Sequence, residues 1–155
     1  MRTIQQWLDE YDESHRNHTN KALHWICVPL IVLSLLGLLY PFSLPVTQKL
    51  LPFQINAASV VMTLAIAYYL FISWPLAIGM LIVSLFMFVI LEQLSALTTP
   101  LWLISLVVFI LAWIGQFIGH KVEGRKPSFF KDVQFLLIGP LWLLAFVYRK
   151  LHIRI

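Results

Sequence analysis

Long apolar runs alternate along this chain with short polar or proline-bearing stretches, and their lengths predict helices throughout. The first element is the exception, being polar on one side. Within 3–16, Ile4, Trp7, Leu8 and Tyr11 recur at three- and four-residue steps, so a helix capped by Thr3 presents one apolar stripe. Such a helix is expected to lie at a membrane interface or to pack under a bundle. Asn17, His18, Thr19 and Asn20 predict a turn, with Thr19 or Asn20 capping the helix that follows. Four runs, 21–40, 55–72, 76–91 and 101–120, are apolar enough to predict membrane-spanning helices. Pro41 ends the first, and Ser73-Trp74-Pro75 makes a tight connection between the second and third, because Pro75 disfavours helix in the residue before it. The last run, 133–147, is short for a crossing and is interrupted by Gly139-Pro140, which predicts a re-entrant or interfacial segment.

Composition places these helices in lipid. Hydrophobic residues make up 60% of the chain and charged residues only 12%, where a soluble domain carries roughly twice that charge. The expected fold is therefore all-α, an integral membrane helical bundle forming a single domain over 1–155. A net charge of +4 is no sign of nucleic-acid binding here, because the basic residues flank the spans. Arg2, Arg16 and Lys21 precede the first span; Lys121, Arg125, Lys126 and Lys131 precede the last segment, and Arg149, Lys150 and Arg154 follow it. The loops at 41–54 and 92–100 carry only Lys49. Four crossings with that asymmetry put both termini in the cytosol, in a bacterial inner membrane or the endoplasmic reticulum. The polar, acidic N-terminal stretch argues against a cleavable signal or a mitochondrial transit peptide. Cys27 is the single cysteine, so no intrachain disulfide forms, and it reads as a small core residue.

The candidate chemistry sits at that cytosolic face. Trp113, Gln116, His120 and Glu123 interrupt the fourth span at helical spacing. At about 100° per residue, Gln116, His120 and Glu123 share one face of the helix. Ionisable groups at the end of a membrane helix are costly unless they pair or serve a function. His15, His18 and His24 stand at the start of the first span, which four crossings place at the same depth as His120. Four of the five histidines thus gather at one face, with Glu123 beside them. Imidazoles with a carboxylate are common ligands of first-row metals, making His15, His18, His24, His120 and Glu123 candidate metal ligands. Glu123 could instead pair with Lys121, Arg125 or Lys126 on the surface. Gln116 or Glu123 could orient an imidazole by accepting its second N–H. Glycine-rich phosphate loops, paired-cysteine zinc motifs and nucleophile elbows are all missing from the sequence.

The motif Tyr11-x3-His15-x-Asn17-x2-Asn20-x3-His24-x4-Pro29, followed by Trp113-x2-Gln116-Phe117-Ile118-Gly119-His120-x2-Glu123-x3-Pro127, resembles the Mpo1-like family of small membrane proteins over nearly the whole chain. The resemblance implies an iron(II)-dependent dioxygenase that acts on 2-hydroxy fatty acids and shortens them by one carbon, a step of fatty acid α-oxidation. It implies His15, His24 and His120 as metal-site residues, with Glu123 and Asn20 in support, and packing rather than chemistry for Cys27. Lys121 or Arg125 could then attract the substrate carboxylate. Two other classes fit the same residues: a non-catalytic membrane scaffold or lipid-binding protein, and a zinc hydrolase of the same architecture.

Overall fold

A computed structural model describes residues 3–43, 55–124 and 134–155. Lys49, Arg125, Lys126, Pro127 and Lys131, and most of the predicted 41–54 loop, lie outside the described residues. Among the described residues the chain is all-helical, with α1 (Ile4–Asp12), α2 (His18–Leu39), α3 (Ala57–Ile72), α4 (Trp74–Ser95), α5 (Leu101–Glu123) and α6 (Gln134–Lys150).

The caps explain where the elements begin and end. Thr3 accepts from the Gln6 N–H while the Gln6 side chain returns to the Thr3 N–H, a reciprocal capping box on α1. That helix stops at Asp12, four residues earlier than the predicted 16. Asn17, rather than Thr19 or Asn20, caps α2, its side-chain oxygen accepting from the Thr19 N–H at 2.8 Å. The predicted four-residue turn is thereby shortened, and His18 and Asn20 fall in the first turn of α2. Ser73 closes α3 and caps α4, which runs on past the predicted residue 91 to Ser95. There the Tyr40 hydroxyl donates to Glu92 and the Ser95 hydroxyl donates to the Glu92 carbonyl at 2.8 Å. Gly124, at φ 72°, terminates α5 directly after Glu123, its N–H reaching the carbonyls of His120 and Lys121.

Two buried clusters mark the ends of the bundle. Trp7, Tyr11, Tyr69, Leu76 and residues of α6 share one. Leu36, Ala58, Met62, Leu91 and Leu101 share the other. Helices α2 to α5 therefore run alternately between the two ends. Three of them, α2, α4 and α5, are long and apolar enough to cross a membrane, whereas α3 is apolar but only 16 residues long. The predicted count of four spans thus stands at three by length. Exposed aliphatic and aromatic residues such as Leu64, Phe71, Ile82, Phe86, Ile110 and Leu111 cover the outer faces, a surface suited to lipid.

Helix α6 corrects another expectation. It continues through Gly139-Pro140 instead of breaking there. Pro140 removes one helical N–H, and the Tyr69 hydroxyl supplies a donor to that turn, reaching the Leu137 carbonyl at 2.9 Å. Its buried face, including Phe135, Ile138, Leu141 and Trp142, packs under α1, where Trp7 meets Phe135 edge-on at 5.5 Å.

Among the described residues, the antiparallel α2–α5 pair is the most extensive helix contact. Small residues on α5 let the backbones approach: Gly119 faces Asn20, Gly115 faces Cys27, and Ser105 faces Gly37. A Cβ at Gly119 would lie 2.5 Å from Asn20 Oδ1, and one at Gly115 would lie 2.6 Å from Cys27 Sγ. This is the close-packing role of small residues spaced by four in membrane helices, and it gives Cys27 a packing function. Gly119→Val should accordingly cost about 1–3 kcal/mol through overpacking. Ile118→Ala, at a position 51% exposed, should leave stability nearly unchanged. Thermal unfolding in detergent checks the contrast.

Candidate metal centre

Three imidazoles meet at the end of the bundle where α1 turns into α2. His15 lies in the turn, His24 two helical turns into α2, and His120 in the last turn of α5. Their exposures are 0%, 1% and 5%. Ring centroids lie 4.2 Å (His15–His24), 4.9 Å (His24–His120) and 5.2 Å (His15–His120) apart, each pair near perpendicular. One ligating atom from each falls within 4.8 Å of the others.

The hydrogen bonds leave the cluster short of protons. His15 Nδ1 faces the Tyr11 carbonyl at 2.6 Å, and His24 Nδ1 faces the Asn20 carbonyl at 2.9 Å. A carbonyl only accepts, so both Nδ1 atoms carry the proton of a neutral ring. His15 Nε2 and His24 Nε2 then point lone pairs at each other across 2.8 Å. Burial holds the His15 imidazole below its ordinary range, against smaller opposing contributions that include its bond to the Tyr11 carbonyl and the Glu123 charge. A second proton on that ring is thus disfavoured. His120 Nδ1 is also buried, with no hydrogen-bond partner among the described residues. Two opposed lone pairs and an unpartnered ring nitrogen suit a cation. The donor set fits a first-row transition metal, with Nδ1–H bonds to carbonyls fixing the orientation of two of the three rings.

Around the cluster, Tyr11 stacks on His15 with centroids 4.2 Å apart and planes 8° from parallel, and Trp142 of α6 lies 5.3 Å from the same ring. Burial also pushes the Tyr11 phenol well above its ordinary range, so it stays neutral. Gly139 admits that phenol, since a Cβ there would sit 2.9 Å from its oxygen. Gln116, one turn before His120, is buried and lines a small cavity of about 50 Å³ together with Tyr11, His24, Val28, Trp113 and His120.

Of the sequence candidates, His15, His24 and His120 come together, and Glu123, Asn20 and Gln116 sit beside them. Glu123 accepts from the backbone N–H of Arg16 (3.0 Å) and Asn17 (2.9 Å) and from Asn20 Nδ2 (3.0 Å). Its carboxylate buckles the α1–α2 turn to the end of α5, and lies outside the three-histidine cluster. Asn20, fully buried, spans the same junction by also donating to the Ser14 carbonyl at 3.1 Å. His18 is exposed, on a different face with Asp12, Lys21 and Arg149. Lys121 is exposed, and Arg125 lies outside the described residues. Sequence reasoning places Tyr11 on an apolar stripe and at the head of the histidine motif without a role in the site, and it gives α6 no part there. The position of Tyr11 one helical turn before His15 was the available signal; Trp142, among other apolar residues, offered none.

An all-helical bundle with lipid-suited faces and three buried, converging imidazoles defines a membrane-type helical protein with a metal-competent centre. The chain belongs to the Mpo1-like family: the family model described as "2-hydroxy-palmitic acid dioxygenase Mpo1-like" matches residues 1–151. No curated protein and no solved structure matches the chain.

The buckle makes a separable prediction. Glu123→Ala removes the acceptor for three donors and should cost about 1–3 kcal/mol, with faster tryptic cleavage after Arg16. Glu123→Gln keeps one acceptor oxygen and should recover part of the loss. Thermal unfolding and limited proteolysis of the two variants check this.

Proposed function

We propose that this protein is an iron(II)-dependent dioxygenase that shortens 2-hydroxy fatty acids by one carbon at the cytosolic face of a membrane. The observation that carries the reading is the proton-short cluster of His15, His24 and His120, found in a chain whose family is described by a 2-hydroxy acid dioxygenase. In this reading α3 completes a fourth crossing, which leaves both termini in the cytosol.

The three imidazoles hold the metal, and iron(II), when bound, supplies the capacity to bind and activate dioxygen. The chain's own residues do the rest. The carbonyls of Tyr11 and Asn20 hold His15 and His24 with their Nε2 lone pairs inward. Glu123 keeps the turn that carries His15 against α5, a positioning role. Gln116 stands one turn from His120 on the cavity wall, where its amide can meet the substrate's hydroxyl or carboxylate. Lys121 and Arg125 draw the anionic head to this end of the bundle. Trp142, Tyr11 and Phe135 cover the cluster and limit access of bulk water. With dioxygen as the oxidant, atoms balance when the carboxyl carbon leaves as carbon dioxide and one water forms beside the shortened acid.

Oxygen uptake and product analysis test the reading. The iron-loaded protein, given 2-hydroxyhexadecanoic acid, should consume dioxygen and release pentadecanoic acid, and His120→Ala should abolish both. The zinc-loaded protein should be inactive, because zinc is redox-silent. No dioxygen uptake by folded, iron-loaded protein would leave a scaffold or lipid-binding role, and hydrolytic activity with zinc would point to the third class.

A further inference from the structure

A larger cavity adjoins the one at the histidines. Five residues lining the smaller one, Ile31, Val32, Trp113, Leu136 and Pro140, also line the larger, of about 530 Å³, which reaches Leu36 and Met62 near the far end of the bundle. From His24 to Leu36, α2 rises by about 18 Å. Together the two linings therefore span much of the length of the bundle. Their character changes along the way. The near end presents His24, His120, Gln116 and the Tyr11 phenol; the far part is lined by aliphatic, aromatic and methionine side chains from α2, α3, α4, α5 and α6. Tyr69, the polar group in that far part, directs its hydroxyl to the Leu137 carbonyl, so its polar atom is already satisfied.

The far part also has an open side. Helix α5 packs on α2 along its length and makes few contacts elsewhere. Leu35 and Val61, which line the cavity, are 41% and 42% exposed. The gap between α3 and α5 thus faces the surface suited to lipid.

We propose that this cavity is an acyl-chain channel: it takes the single tail of an amphiphile whose polar head lies at the three histidines, and it admits that tail sideways from the bilayer. A narrow space with polar groups at one end and about 18 Å of apolar wall beyond matches one extended chain with one polar head. Ala65 and Val61, small or medium residues on the α3 wall, then set how long a tail fits. The proposal rests on the reading of the substrate as a 2-hydroxy fatty acid.

Filling the channel tests it. Ala65→Phe narrows it from a partly buried position, and Val61→Phe does so from the lipid-facing edge, where a larger ring is easier to fold around. Ala67→Phe, in a separate groove between α3 and α4, is the control. Each protein is loaded with iron(II), and binding of 2-hydroxyoctanoic and 2-hydroxyhexadecanoic acid is measured under nitrogen, so that no turnover is needed. Both channel variants should keep the metal and bind the short acid like wild type. They should bind the long acid about tenfold more weakly or worse, since exposing about two methylenes already costs that much. Ala67→Phe should match wild type for both acids. A folded, metal-loaded Val61→Phe or Ala65→Phe that binds the long acid as wild type does would overturn the channel. If the wild type shows the expected binding pattern yet consumes no dioxygen in air, the proposed reaction fails and the channel stands. If it oxidises the long acid and both filled variants do so equally well, the channel fails and the reaction stands.

Discussion

The close approach of α2 and α5 governs the remainder of the molecule. Gly115 and Gly119 allow the two backbones to meet where Cys27 and Asn20 occupy the opposite wall, and only at that separation do His24 and His120 bring their rings within 4.9 Å. In lipid, where tails are as apolar as the side chains, such packing holds helices together without help from hydrophobic burial. The antiparallel direction matters as much as the distance. It places the start of α2 against the end of α5, so residues almost a hundred positions apart share one buried site.

The N-terminal segment completes that site from outside the pair. Glu123 accepts the Arg16 and Asn17 N–H groups, and Asn20 joins both the carboxylate and the Ser14 carbonyl. His15 is carried inward by this turn and by the stacking of Tyr11, whose helix rests on α6. A buried imidazole that cannot readily take a second proton, facing another whose proton is committed to a carbonyl, is a costly arrangement for a purely structural core. A bound cation removes that cost.

Much of this was legible in the residues, for identifiable reasons. Long apolar runs declare membrane helices, and helical spacing on α5 put Gln116, His120 and Glu123 on one face. His15 and His24, nine residues apart, required a turn between them, and Asn17 gave its signal. Its strength as a cap is not plain from residue type alone, so the sequence predicts α2 from 21 with His18 in the turn, where the helix in fact starts at His18. Glu123 reads as a ligand, a surface charge or a support for an imidazole, and its hold on the Arg16 and Asn17 backbone stays out of sight, because a sequence shows charged partners and hides backbone N–H groups. Pro140 looked like a break, since the Tyr69 hydroxyl that serves its turn comes from α3, 68 positions from Leu137. The contribution of α6 was hidden for a different reason: in a membrane protein, residues facing lipid and residues facing a core are equally apolar.

The central claim is that His15, His24 and His120 form one metal centre. Titration of the metal-free protein with iron(II) under nitrogen, for wild type beside His15→Ala, His24→Ala and His120→Ala, tests it most directly, with circular dichroism reporting the fold of each. The account predicts stoichiometric binding by wild type and affinity weaker by about tenfold or more in every variant, even though the three residues come from separate parts of the chain. Failure of folded wild type to bind, or a folded variant that binds as tightly, would contradict it.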